Sequence, residues 1–350
     1  MIGANGVGKT SILDALSLLA SSAQGRLNAG ISENSGLSAM RTFGRDADIE
    51  FGISMAEPEN HPLDYALNLR PRGGSYVISR ETLSQGRDLP LRIDAHDIDV
   101  MYYHEGRIVR PNWEHNPLES SLSQVPKMFR TPEGFREQLA SCTFHHGINV
   151  EPRSPVRLPQ AMRPAPLPGK NGEDLVSCLY YLRETDPDRF EAVEDALKSA
   201  FPSFRKLDFP PVATGTLAMT WRDKSFAQPL YTHQLSEGML RFLWIVTLLQ
   251  SPGLTALTLI DEPEVSLHPE LLSLLAGLLR EASSRRSQIF VATHSDRLIG
   301  FLKPEEVVVM DAADDGSSTL TWADRMNLDH CLENYSLDDL WRNGRLGGRA

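Results

Sequence analysis

The run Gly3-Ala4-Asn5-Gly6-Val7-Gly8-Lys9-Thr10 constrains this chain more than any other stretch. In the spacing G-x-x-x-x-G-K-[ST], glycines let the backbone curl so that successive N–H groups point inward at phosphate oxygens. Lys9 then reaches the β- and γ-phosphates, and the Thr10 hydroxyl helps hold Mg²⁺. Apolar residues recur at helical spacing from Ser11 to Leu19, so the phosphates would also meet a helix N-terminus. Met1 and Ile2 read as the last residues of the strand feeding this loop, and the natural reading frame is expected to begin upstream.

Composition narrows the class. With 350 residues, 41% hydrophobic and 23% charged, the chain can build a large core or two lobes. No apolar run approaches the roughly 20 residues of a membrane span, and Met1 opens on a glycine loop rather than a secretory signal. A cytoplasmic address without membrane contact is therefore expected. Cys142, Cys178 and Cys331 are scattered, with no C-x-x-C pair, and read as packing residues. A net charge of −11 argues against nucleic-acid binding over the whole surface. Between Lys127 and Lys170, however, Arg130, Arg136, Arg153, Arg157 and Arg163, with His145 and His146, outnumber the acids. A solvated basic loop and a local DNA-binding patch both fit that stretch.

Along the chain, alternating segments read as strands at Asp48–Met55, Tyr65–Leu69, Tyr76–Ser79 and Asp99–Tyr103. From Pro111 to about Gly172, prolines, charges and short apolar clusters predict loops and short helices. Helices are expected over Asp174–Leu182 and Pro187–Ala200, and a single strand over Val212–Trp221. The domain reading is one head over 1–350. Within it, 1–19 carries the loop and first helix, 48–110 an antiparallel β lobe, and 111–205 inserted loops and helices. Residues 206–310 hold the rest of the chemistry, and 311–350 a C-terminal extension.

That chemistry begins with Leu257-Thr258-Leu259-Ile260, a β-rich apolar run that delivers Asp261 and Glu262 at its C-terminal end. One carboxylate suits Mg²⁺, and the second can orient or deprotonate an attacking water. Gln234-Leu235-Ser236-Glu237-Gly238 leads into an apolar helix, so Ser236 can cap it and aim backbone N–H groups at an anion. The strand Gln288–Thr293 ends in His294-Ser295, and a histidine there can polarise water or sense a phosphate. Taken singly, the last two segments also fit an ordinary capped core helix and a structural histidine.

Together these residues resemble an ABC-type ATPase head. Gly3–Thr10 resembles Walker A, Leu235-Ser236-Glu237-Gly238 the signature motif, and Ile260-Asp261-Glu262-Pro263 Walker B. Glu264–Pro269 resembles the D-loop and Thr293-His294-Ser295 the switch-histidine loop, in the family's order. Asp-Glu-Pro-Glu followed by Ser-Leu-His-Pro is similar to the RecF/OLD/SMC-like ATPases, and to the compact bacterial predicted AAA ATPase group among them. The stretch Ser236–Phe242 and a tail from Tyr335-Ser336-Leu337 through Trp341 to Gly347-Gly348 carry that finer resemblance.

The resemblance implies an α/β P-loop NTPase, an ABC-type head with an antiparallel β lobe and a helical insertion. It implies ATP held by Asn5, Gly6, Gly8, Lys9, Thr10 and Ser11, with Mg²⁺ on Thr10 and Asp261. Glu262 would be the catalytic base and His294 the γ-phosphate switch. Ser236 and Gly238 would contact the γ-phosphate of a second protomer, giving an ATP-dependent homodimer that hydrolysis releases. DNA or a separate effector protein are the further partners it allows, in DNA repair or phage defence. An ATP-dependent binding switch with incidental hydrolysis is the alternative. No glutamine stands in the segment Met40–Gly44, about where the resemblance places a Q-loop ligand, and Glu237 replaces the commoner signature glycine. No sustained heptads precede the signature, so long clamp arms are not expected. The chain beyond His294 is too short for a nuclease domain of the OLD type.

Overall fold

The computed structural model describes residues 1–41, 47–57, 60–94, 99–104, 107–110, 114–285, 287–313, 315–328 and 335–347. The chain forms two compact units, one of residues 1–13 with 144–350 and one of residues 14–143. Cys331, Gly348 and residues 42–44 of the Q-loop segment lie outside the described residues. None of the described helices is long and apolar enough to cross a membrane.

The first unit opens with β1 (Ile2–Gly3), from which the phosphate loop leads to α1 (Lys9–Ala23). The second unit follows with α2 (Leu27–Glu33) and six antiparallel strands paired in chain order. These are β2 (Ile49–Met55), β3 (Leu63–Arg72), β4 (Ser75–Gln85), β5 (Asp88–Asp94), β6 (Asp99–His104) and β7 (Arg107–Val109). Alternation explains the sheet: Leu63, Tyr65, Leu67 and Leu69 of β3 all point to one face and are buried. They pack with Phe129 and with Phe135 of α3 (Arg130–Ala140). Among the polar side chains buried in this unit is an acid. Glu81 is fully buried and accepts from the Tyr65 hydroxyl at 3.0 Å and the backbone N–H groups of Ser121 and Leu122 at 2.7 and 2.9 Å.

The first unit resumes at β8 (Thr143–His145), then β9 (Gln160–Ala161), α4 (Leu175–Thr185), α5 (Pro187–Ala200) and β10 (Phe204–Asp208). The single strand expected over Val212–Trp221 is instead three pieces, β11 (Pro211–Ala213), β12 (Thr216–Leu217) and β13 (Thr220–Asp223). Gly215 at φ 71° turns β11 back onto β12, a reversal that a continuous β-rich string hides. After β14 (Leu230–Tyr231) comes α6 (Glu237–Gln250), whose residues Phe242–Gln250 are all buried. An apolar run without a polar face suits a helix enclosed on all sides.

The remaining elements are β15 (Leu257–Asp261), α7 (Leu272–Ser284), β16 (Gln288–Ala292), α8 (Asp296–Gly300), β17 (Val308–Ala312), β18 (Ser318–Trp322) and α9 (Leu337–Arg342). Two three-stranded sheets, β8-β15-β16 and β1-β17-β18, meet at the first residue of the chain. Met1 donates its amine to the Val291 carbonyl at 2.6 Å and accepts from the Thr293 N–H at 3.1 Å. This gives the continuous order β8-β15-β16-β1-β17-β18, with β15 and β16 parallel and β1 parallel to β17. An apolar groove of about 720 Å³ adjoins Met1 and Ile2, lined by Ile289, Val291, Leu298, Leu302 and Val308 among others.

The C-terminal extension packs on this sheet. Leu337 and Leu340 of α9, with Leu346, join Ile2, Val307 and Val309 in one buried cluster. Arg342 of α9 pairs with Asp296 of α8 at 2.8 Å.

Candidate functional site

In an open sheet with parallel strands, ligands gather where neighbouring strands end. Here β1, β15 and β16 end in Gly3, Asp261 and Ala292. Those strand ends, the loops leaving them and the first turn of α1 carry every candidate residue except those of the signature segment.

The phosphate loop has the curl that its sequence requires. Gly6 and Gly8 stand at φ 81° and 89°, conformations that a side chain would strain. The Ile12 N–H closes the first helical bond onto the Gly8 carbonyl at 3.1 Å, so the N–H groups just ahead of it are left for an anion. Lys9 is 5% exposed and folds back to donate to the carbonyls of Gly3 and Ala4 at 2.7 and 2.8 Å. Burial lowers its ammonium below the ordinary lysine range, against the pull of Glu262 and Asp261. Asn5, Gly6, Thr10 and Ser11 are exposed.

Two contacts tie distant segments together. The Thr10 hydroxyl lies 3.3 Å from Asp261 Oδ2, across 251 residues of sequence. Glu262 Oε1 lies 3.5 Å from His294 Nε2. The backbone of Glu262 is at φ 48°, a left-handed conformation that costs a non-glycine residue about 1–3 kcal/mol. Its N–H bond to the Ala292 carbonyl, 2.8 Å, helps hold that turn, which separates the direction of Glu262 from that of Asp261.

Glu264 fastens the two loops from below. Its carboxylate accepts from the Thr293 hydroxyl and from the His294 N–H, the latter at 3.2 Å. Burial raises its pKa from the ordinary range, and the bond from Thr293 opposes that rise. The Thr293 hydroxyl in turn accepts from the Ser295 N–H at 3.0 Å, and Ser295 caps α8. His294 is thereby presented by a braced loop.

Ser236 is the N-cap of α6, accepting from the Met239 N–H at 3.3 Å, and it is exposed. Gly238 lies against the D-loop, and a Cβ there would stand 2.9 Å from the Ser266 carbonyl. Among the described residues, no hydrogen bond or ion pair joins Ser236, Glu237 or Gly238 to the phosphate loop of the same chain.

One residue of this centre was not singled out by its sequence. His146 immediately follows β8, the strand beside β15, and its Nδ1 lies 3.7 Å from Asp261 Oδ2. Sequence reading met it only as one basic residue in the Lys127–Lys170 run. Other members of that run serve structure. Arg157 donates to the carbonyls of Val150 and Leu235 at 2.6 and 2.9 Å, Arg163 pairs with Asp174 at 2.6 Å, and Arg136 with Glu133. His145 is buried against Trp244, and burial drives its pKa down to about 4. Cys142 and Cys178 are buried, and Cys178 Sγ lies 3.5 Å from the Ser251 hydroxyl.

The donor set fits a nucleotide with its divalent cation. A hydroxyl and a carboxylate meet beside the phosphate loop, and no group of three His, Cys, Asp or Glu among the described residues could hold a metal by itself. A cation that takes few protein ligands and completes its shell with phosphate oxygens suits such a site.

Residues 1–300 match the model of the family described as "AAA domain, putative AbiEii toxin, Type IV TA system". No curated protein matches the chain. Among solved structures, an Smc head bound to the C-winged helix domain of ScpA is 17% identical, with 91% of this chain and 88% of that one covered and a TM-score of 0.46. An Smc head with an extended coiled coil from Pyrococcus furiosus, bound to the C-terminal domain of ScpA, is 14% identical, covering 95% and 92%, with a TM-score of 0.47. The ATP-binding subunit of an ABC transporter is 17% identical, covering 61% and 70%, with a TM-score of 0.32. With 300 of its residues matched by the family model, the chain belongs to this AAA-domain family.

Proposed function

We propose that this protein binds ATP at the Gly3–Thr10 loop and hydrolyses it, with Asn5, Gly6, Gly8, Lys9, Thr10 and Ser11 around the phosphates. The observation that carries the reading is the meeting of Thr10 with Asp261, and of Glu262 with His294, at the ends of neighbouring strands. In this reading Lys9 leaves the carbonyls of Gly3 and Ala4 for the β- and γ-phosphates. Glu262 accepts a proton from the attacking water, and His294, within reach of Glu262, faces the γ-phosphate. Mg²⁺ on Thr10 and Asp261 would neutralise charge on the β- and γ-oxygens.

The exposed Ser236 and the adjoining Gly238 supply the second half of the proposal. Ser236 is exposed at the start of α6, and we assign it with Gly238 to the γ-phosphate of a second copy. ATP then closes a homodimer and hydrolysis opens it. We extend the reading to a cytoplasmic role in DNA repair or phage defence, through DNA or a separate effector protein. The toxin–antitoxin wording of the family description supports the defence setting.

Steady-state hydrolysis tests the chemistry. Removal of one proton acceptor typically costs 10²–10⁴-fold, so Glu262→Gln should lower kcat by about that factor while ATP still binds. Unchanged turnover in that variant would remove Glu262 from the mechanism.

A further inference from the structure

We propose that His146 is a third protein ligand of the nucleotide's divalent cation, and that it tilts the site toward Mn²⁺ or Co²⁺ over Mg²⁺. The inference rests on the nucleotide reading above and adds a residue and a metal preference to it.

Three segments converge on Asp261 Oδ2. The Thr10 hydroxyl stands 3.3 Å away and His146 Nδ1 3.7 Å away. In an octahedral shell, neighbouring ligands about 2.1–2.2 Å from the cation are roughly 3.0–3.1 Å apart. The Thr10 hydroxyl stands close to that spacing, and His146, too far from the carboxylate for a hydrogen bond, reaches it by an approach of about 0.7 Å.

The fold explains why His146 is there. β8 flanks β15 in the sheet, and contact between the residue after β8 and the last residue of β15 means both strands deliver their ends to the same edge. The preceding residues fix the loop, because His145 is buried beneath it against Trp244. The His146 ring rests on Phe144, with centroids 4.1 Å apart, and so has a preferred orientation. It remains 61% exposed, whereas Asp261 is 16% exposed, so the imidazole borders open space beside a sheltered carboxylate.

The donor type sets the preference. Mg²⁺ favours an all-oxygen shell, while imidazole suits transition metals, whose affinity for nitrogen sites rises from Mn²⁺ to Co²⁺ and beyond. Thr10 and Asp261 alone would leave an ordinary oxygen site. Adding one nitrogen retains Mg²⁺ binding through the phosphates and strengthens the softer ions.

The test uses the full chain with Mn²⁺ and ADP. Pulsed electron paramagnetic resonance should show an imidazole nitrogen coupled to the bound Mn²⁺, and that signal should vanish in His146→Ala and His146→Gln. By titration, His146→Ala should weaken Mn²⁺·ADP about 10-fold or more, and Mg²⁺·ADP by a smaller factor. Metal-free ADP should bind both proteins within about twofold, which shows that the variant is folded. Bound Mn²⁺·ADP without a histidine-dependent nitrogen signal overturns the assignment of His146 and leaves the nucleotide reading standing. Failure of the native chain to bind ADP with or without metal overturns the nucleotide reading itself.

Discussion

At the scale of single residues, the charges at the candidate site are few and each has a distinct environment. Lys9 is buried and bonded to its own loop, so its side chain is held ready at little further entropic cost. Lys9→Ala should abolish measurable ATP binding, weakening a fluorescent ATP analogue by about 100-fold or more, since a charge-assisted bond to phosphate is worth about 1.5–3 kcal/mol and two phosphates share it. Unaltered affinity would remove the loop from the account. Glu81 is a different case, a buried acid far in sequence from the nucleotide motifs. Burial raises its pKa to about 7, against bonds from Leu122, Ser121 and Tyr65 that lower it. An acid whose folded pKa is raised contributes stability in full below its unfolded value near 4.5 and loses it as pH climbs through about 7. Glu81→Gln should therefore flatten the fall in melting temperature between pH 5 and pH 8. An unchanged slope would show that Glu81 is ionised throughout.

Elements differ in how much their sequences disclose. A phosphate loop works through the backbone of contiguous residues, so Gly3–Thr10 is legible as a string. Asp261 and Glu262 are nearly so, because an apolar run must end where its carboxylates begin. β8 is three residues long and has no period to detect, and the partner of His146 lies on another strand altogether. Glu81 is hidden similarly, since the sequence of β4 does not reveal that residues 121 and 122 will supply its donors. The C-terminal extension is the clearest gain from the structure. Its apolar positions Leu337, Leu340 and Leu346 close the core over Ile2 and Val309, so it braces the strand that feeds the phosphate loop. Leu340 is fully buried, and Leu340→Ala should cost about 2–5 kcal/mol of stability in chemical denaturation. A loss under about 0.5 kcal/mol, the size of a surface substitution, would mean the extension does not hold that core.

At the scale of the whole molecule, the proposed ATP site is divided between two copies. One chain carries the phosphate loop, Asp261, Glu262 and His294 at the ends of neighbouring strands, while Ser236 and Gly238 stand at the start of α6. Ser236 caps its own helix, so Ser236→Ala should cost roughly 1 kcal/mol in folding but should also abolish ATP-driven association, measured by light scattering. Association equal to the native chain would confine Ser236 to capping. The most direct single measurement is the mass of the Glu262→Gln chain with ATP by sedimentation velocity, since blocked turnover should trap the closed state. The account predicts a shift from 39.0 kDa to twice that mass when ATP is added, and no shift with ADP. A particle that stays at 39.0 kDa with saturating ATP bound would contradict it.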